Sequence, residues 1–184
     1  VYSHLAYRGK TEGVIALMQA KPHRLEDLKL PGIAPLILVA EAPEKPGNIG
    51  ALLRTADAAG LDAVIIADPR GDLYNPNIIR SSVGCLFTVQ VAAASSTETL
   101  HFLKARNFQI LGAALGASQR YDRVDYKLPT AIVVGTEATG LSPLWMEEAD
   151  LLVEIPMRGA IDSMNVSVAA SILIFEGLRQ RGFH

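Results

Sequence analysis

The run Ala131-Ile132-Val133-Val134-Gly135-Thr136-Glu137-Ala138-Thr139-Gly140-Leu141-Ser142-Pro143 decides the fold class. Its four leading apolar residues show none of the alternation of a half-exposed strand, so they read as a strand covered on both faces, the habit of parallel sheets. The glycine-bounded loop that follows leaves the strand at its carboxyl end, where open α/β sheets bind ligands. Ser142 and Pro143 then supply a helix N-cap and a first-turn proline. Outward from this unit the rhythm repeats. Apolar runs at Leu36–Val39, Ala63–Ala67, Val89–Ala92, Gln109–Ala113 and Leu151–Ile155 alternate with helix-like intervals, as parallel strands joined by crossover helices do. The expected class is α/β, a mostly parallel sheet flanked by helices.

The first helix is expected from near Asn48 to Gly60, with Ile49, Leu52, Leu53 and Ala56 on its apolar stripe and Gly50, Arg54 and Asp57 on another. Asn75 before Pro76 reads as an N-cap and first-turn proline, and Ser95 with Glu98 has the spacing of a capping box. The last helix, Asn165 to Arg179, is apolar nearly all round and needs burial on more than one side. The chain has 184 residues, enough for one full-sized core. Residues 1–34 differ from the rest and look like a strand plus linker around the run Gly13–Met18.

Lys and Arg number 17 against 19 Asp and Glu, a net charge of −2, so any contact with RNA has to come from a local basic patch. Cys85 is the single cysteine and the histidines stand apart at 4, 23, 101 and 184, which suggests no disulfide, no metal and a reducing cytoplasm. The longest apolar-rich stretch, Val166 to Phe175, carries Ser167 and Ser171 and falls short of the roughly 18–20 residues that a bilayer demands. No membrane span is expected.

Three strand-to-helix loops carry the candidate chemistry. Glu41–Gly50 enters a helix whose free N–H groups can receive an anion. Four residues beyond Gly50 stands Arg54, and the missing side chain at Gly50 leaves room beside the guanidinium for a phosphate or ribose; the same spacing also allows a plain Arg54–Asp57 surface pair. Gly135–Pro143 is neither a dinucleotide fingerprint nor a Walker loop. Ile155–Asn165 places Ser163 and Asn165 at a helix entrance, where either could be an N-cap.

In order and spacing, Asn48-Ile49-Gly50-Ala51-Leu52-Leu53-Arg54-Thr55-Ala56, Val134 to Ser142, and Ile155 to Gly159 continuing through Ser163-Met164-Asn165 to Ala170 resemble the three motifs of the SpoU (TrmH) family of RNA ribose methyltransferases, in the SPOUT superfamily. Asn75 to Gly84 resembles a further family segment. Ala138 stands where the family usually has Gly, and Met164 where it usually has Leu.

The resemblance implies a C-terminal deep trefoil knot, against the rule that chains are un-knotted. It implies S-adenosylmethionine held by Gly135, Ile155 and Met164, with Ala114 or Leu115 as neighbours, and no metal. It casts Arg54 as the key catalytic residue, with Asn48, Glu137, Ser163 and Asn165 shaping the site. Because a guanidinium pKa exceeds about 12, Arg54 suits a clamp on the RNA phosphate and 2′-oxygen better than a base. Arg80 could add a second phosphate contact. The implied activity is methylation of a ribose 2′-hydroxyl, with a guanosine of large-subunit rRNA favoured over transfer RNA, and a non-catalytic RNA-binding module as the rival. A homodimer through the knot region is implied. Residues 35–184 would be the catalytic domain and residues 1–34 the remnant of an N-terminal substrate-binding domain and linker, with Lys10–Ala16 as its closing strand.

Overall fold

The computed structural model describes residues 17–30, 32–117, 119–159 and 164–183. Seven strands form one sheet: β1 (Leu36–Glu41), β2 (Ala63–Ala67), β3 (Val91–Ala94), β4 (Gln109–Ala113), β5 (Gln119–Arg120), β6 (Thr130–Val134) and β7 (Leu151–Glu154). Their order is β3-β2-β1-β6-β4-β7-β5 and every pairing is parallel. The helices are α1 (Pro46–Ala59), α2 (Pro76–Ser81), α3 (Cys85–Thr88), α4 (Ser96–Ala105), α5 (Pro143–Glu148) and α6 (Val166–Gln180). Among the described residues no helix is long and apolar enough to cross a membrane.

Successive strand residues point to opposite faces, and both faces are covered. Leu38, Ala40, Ile132 and Val134 pack with Leu52, Leu53 and Ala56 of α1 and with Ala170, Leu173 and Ile174 of α6. Ile37, Val39 and Val133 pack on the other side with Leu100 and Leu103 of α4 and Trp145 of α5. Hence β1 and β6 show unbroken apolar runs. Trp145 is fully buried; its indole N–H donates to Ser96 Oγ at 3.1 Å, and that hydroxyl donates to Asp68 Oδ2 at 2.6 Å. The polar tip of the largest core residue is thereby satisfied.

The expected elements are found with instructive shifts. β2 and β4 have the expected bounds, and the Ser95–Glu98 capping box and the Asn75 cap both form. α1 begins at Pro46, two residues before Asn48, because proline suits the first turn. It ends at Gly60, whose left-handed φ of 64° lets its N–H reach the last turn's carbonyls. β3 starts two residues later than expected, because Val89 closes the short helix α3. Ile155 lies just beyond β7.

Gly50 does not leave room beside Arg54, as the spacing suggested. It is buried, and a Cβ there would lie 2.0 Å from Ser81 Oγ. The absent side chain admits α2 instead of a ligand. Ser81 Oγ, 2.6 Å from the Asn77 carbonyl in its own helix, also lies 3.0 Å from the Pro46 carbonyl at the start of α1.

At the sheet's edge, β4 and β5 are consecutive in the chain, yet β7 lies between them. The connection joining β4 to β5 therefore spans β7, and Ala114 N–H donates to Val153 O at 3.0 Å. The far end of α6 is fastened by Arg181. Its Nε donates to Tyr126 O at 2.8 Å, Nη2 to Leu128 O at 2.8 Å, and Nη1 to Ala34 O.

Among residues 17–30 there is no strand; a 3₁₀ turn at Leu25–Asp27 is the regular element there. His23 runs beside β3, its carbonyl accepting from Ala93 N–H at 2.8 Å and its Nδ1–H donating to Val91 O at 2.9 Å. The proton is assigned to Nδ1 because a carbonyl can only accept; Nε2 lies 3.0 Å from the Tyr74 hydroxyl. The expected strand at Lys10–Ala16 lies outside the described residues.

Candidate active site

Loops leaving the carboxyl ends of β1, β6 and β7 converge with the entrance of α6. The loop after β6 turns back on itself. Thr136 and Gly140 exchange backbone hydrogen bonds at 3.0 and 3.1 Å, and Gly140 takes the left-handed φ of 70° that this turn needs. The return brings backbone so close to Gly135 that a Cβ there would sit 2.1 Å from Gly140 C and 2.4 Å from Leu141 N. Only glycine fits. The loop's exit is pinned by Glu41, a buried side chain at the end of β1 whose Oε2 accepts the Ser142 N–H at 2.9 Å.

Between these loops lies a cavity of about 140 Å³. The five residues expected at a cofactor, Ala114, Leu115, Gly135, Ile155 and Met164, all line it. The walls are otherwise mostly apolar, and Glu137 is the only ionisable lining side chain among the described residues.

A polar cluster stands at the mouth. Asn165 caps α6 through Oδ1, which accepts the Ser167 N–H at 3.0 Å. Its Nδ2 stays free to donate to Glu137 Oε1 at 2.7 Å and Asn48 Oδ1 at 3.2 Å. One side chain thus caps a helix with its oxygen and builds the cluster with its nitrogen. Glu137 Oε2 accepts from Lys45 Nζ. The Lys45 ammonium, with help from Asn48 and Asn165, holds the Glu137 carboxyl below the usual carboxylate range, and Glu137 in turn raises Lys45.

Asn48, Glu137 and Asn165 are therefore brought together as expected, and Arg54 is not brought to them. Arg54 is exposed on another side of α1, lining a shallow depression with Ala51, Ala58, Val83, Cys85 and Phe175. Among the described residues it forms no ion pair. The Arg54–Asp57 pair is not made, and Asp57 Oδ1 accepts from the Thr88 hydroxyl at 2.7 Å. Arg80 is exposed in the last turn of α2. Ser163 lies outside the described residues. Lys45 and Glu41 were not anticipated. Both stand in the first loop, but their partners are 92 and 101 residues away, beyond any local spacing rule.

A sequence profile described as the SpoU rRNA Methylase family matches residues 35–175. The chain is 39% identical over 181 residues to the 23S rRNA (guanosine-2'-O-)-methyltransferase RlmB of Ralstonia nicotianae, covering 96% of this chain and 73% of that protein. It is 36% identical over 139 residues to the 23S rRNA (guanosine(2553)-2'-O)-methyltransferase RlmP of Bacillus subtilis, covering 76% of this chain and 56% of that protein. Among solved structures, the SpoU methyltransferase AviRb of Streptomyces viridochromogenes in complex with AdoMet superposes with a TM-score of 0.82 at 30% identity, covering 89% of this chain and 67% of that one. The chain thus spans between about half and three quarters of the length of these relatives. Fold, ordered motifs and the profile match agree, and the chain belongs to the SpoU rRNA methylase family.

Proposed function

We propose that the protein methylates a ribose 2′-hydroxyl of RNA with S-adenosylmethionine as methyl donor, and that its substrate is a guanosine of large-subunit rRNA. The observation that carries this reading is the convergence of Ala114, Leu115, Gly135, Ile155 and Met164 on one apolar cavity with a single carboxylate at its border. Apolar walls suit an adenine ring, and an anionic Glu137 suits a ligand that carries positive charge. The donor, when bound, supplies an electrophilic methyl group on a sulfonium. The names of the Ralstonia and Bacillus relatives support the guanosine and the rRNA.

The chain's own groups would orient the reacting hydroxyl. Asn48 and Asn165 present amides beside Glu137, and an in-line displacement depends on such positioning. Arg54 would clamp the RNA phosphate and the 2′-oxygen with its planar fork, and Arg80 would add a phosphate contact.

Arg54 faces away from its own cleft, on a side shared with exposed apolar residues, Val83 at 72% and Phe175 at 42% exposure. A homodimer through the knot region that covered this face would bury Phe175 of α6 and place Arg54 at the subunit interface. The placement of β7 between β4 and β5 supports a threaded, knotted C-terminal segment. An rRNA substrate suits a cytoplasmic protein.

The test combines calorimetry with S-adenosylmethionine and mapping of 2′-O-methyl groups on unmodified rRNA and transfer RNA. Saturable binding and a new 2′-O-methylguanosine in rRNA are expected. Absence of cofactor binding would leave a non-catalytic RNA-binding module, and label on transfer RNA alone would change the substrate. Arg54→Ala should lower methyl transfer by at least about 100-fold while the Tm stays put, and Arg54→Lys should rescue it poorly. Light scattering should report a dimer, weakened by Phe175→Glu.

A further inference from the structure

The first and second motif loops are joined across the mouth of the cleft by Lys45, a residue the spacing of neither motif points to. Lys45 is the N-cap position of α1 and adopts an extended backbone before Pro46. A proline restricts the residue ahead of it to that region, so the stem of Lys45 leaves the chain in a fixed direction. The ammonium reaches Glu137 Oε2, while Asn165 Nδ2 holds Glu137 Oε1 at 2.7 Å. The two carboxylate oxygens are thus held by donors from two different elements. One donor alone would leave the broad terminal torsion of a glutamate only partly restrained, and the second restrains it.

The pair sits where orientation matters. Glu137, Gly135, Thr136 and Val166 line the apolar cavity, and the same residues line a smaller pocket together with Lys45 and Asn48. Glu137 is the ionisable side chain that the two share among the described residues. Lys45 is 71% exposed and Glu137 27% exposed, and an exposed ion pair of this kind adds little to stability. What it can contribute is geometry.

We propose that Lys45 is a positioning residue for the methyl transfer: by holding one Glu137 oxygen while Asn165 holds the other, it fixes the carboxylate where the cofactor cavity meets the smaller pocket. This rests on the proposed function, and deepens it by giving the first motif loop a part in setting Glu137. The groups that face the carboxylate are Lys45 and Asn48 from α1 and its N-cap, and Asn165 from the entrance of α6; Glu44 faces Lys45 from its own loop. Without the ammonium, the carboxyl takes up a proton at higher pH.

The test uses the full chain with RNA and S-adenosylmethionine. Lys45→Met should lower kcat about tenfold while the RNA KM stays within about twofold, and should move the acid limb of the kcat profile to higher pH. Lys45→Arg, which keeps the charge, should restore most of kcat. On a Glu137→Gln background, Lys45→Met should cost nothing further, the non-additivity expected of residues acting through one another. A raised RNA KM with intact kcat would make Lys45 a phosphate contact and overturn the proposal. So would additive losses, or a kcat and pH profile left unchanged. A readout independent of turnover is the Glu137 side-chain carboxyl resonance: its titration should move to higher pH in Lys45→Met, and an unmoved titration overturns the proposal even where no methyl transfer is seen. Absence of transfer by the parent chain, with that shift present, would count against the proposed function alone.

Discussion

The two ends of α6 do opposite work. At its entrance Asn165 is exposed and bonds to Glu137 in the loop after β6 and to Asn48 in the first turn of α1. At its exit Arg181 binds the carbonyls of Ala34, Tyr126 and Leu128, and Gln180 donates to Val124 O at 2.9 Å while accepting the Tyr126 N–H at 3.2 Å. Apart from the Asn165 cap on Ser167 N–H, the entrance bonds side chain to side chain, which water can replace at little cost. The exit bonds side chain to backbone, where lost partners leave carbonyls unpaired. Changes at the entrance should therefore alter activity, and changes at the exit should alter stability.

The largest expected effect is at the entrance side of the cleft. Gly135→Trp, or the gentler Gly135→Ala, must displace the Gly140–Leu141 backbone, and calorimetry should show S-adenosylmethionine affinity falling by about 100-fold, roughly 2.8 kcal/mol. Unchanged affinity would place the cofactor elsewhere. Next comes the exit: Arg181→Ala should cost about 2 kcal/mol in denaturant unfolding, the order expected when partly buried carbonyls lose a charged donor. Below its Tm the same variant should bind cofactor like the parent; a parallel loss of affinity would break the division between the two ends.

Asn165→Ala is expected to cost about 1 kcal/mol through the lost cap, and about tenfold in kcat through the freed Glu137. The smallest effect concerns acid. Glu176 near the exit is held below the usual carboxylate range chiefly by Arg179, as Glu137 is by Lys45. A depressed carboxyl stabilises fully above its unfolded pKa, and that contribution is lost as pH falls through its folded value. Stability should thus decline in acid. Glu176→Gln should flatten that decline more than Glu137→Gln, because the Glu176 side chain is 9% exposed against 27% for Glu137. The reverse order in acid melting curves would contradict this reading.

The sheet was legible wherever burial on both faces leaves an unbroken apolar run, which is why β2 and β4 match their expected bounds. β5 was not legible, because Gln119–Arg120 is two polar residues long and owes its strand geometry to pairing with β7. The candidate site divided along the same line. Local signals offered Ser163 and Asn165 as caps, of which Asn165 forms one, and marked Arg54 as a residue off the apolar stripe. Contacts across the chain were silent: nothing near Gly50 announces Ser81, and nothing near Lys45 announces Glu137. The helical stripe placed Arg54 away from the core but could not say that it would also face away from Asn48.

β3 is the sheet's outer strand on one side, and its sequence Val91-Ala92-Ala93-Ala94 carries neither the lysine nor the proline with which proteins often discourage intermolecular pairing there. His23 supplies that protection, occupying Ala93 N–H and Val91 O together. The opposite margin is guarded differently, by a strand of two residues that ends in an Arg120–Asp122 ion pair at 2.9 Å. Solubility is therefore shared unequally between the margins. A chain trimmed to residue 31 would bare the β3 side alone, and its molecules should self-associate margin to margin at concentrations where the intact chain does not aggregate.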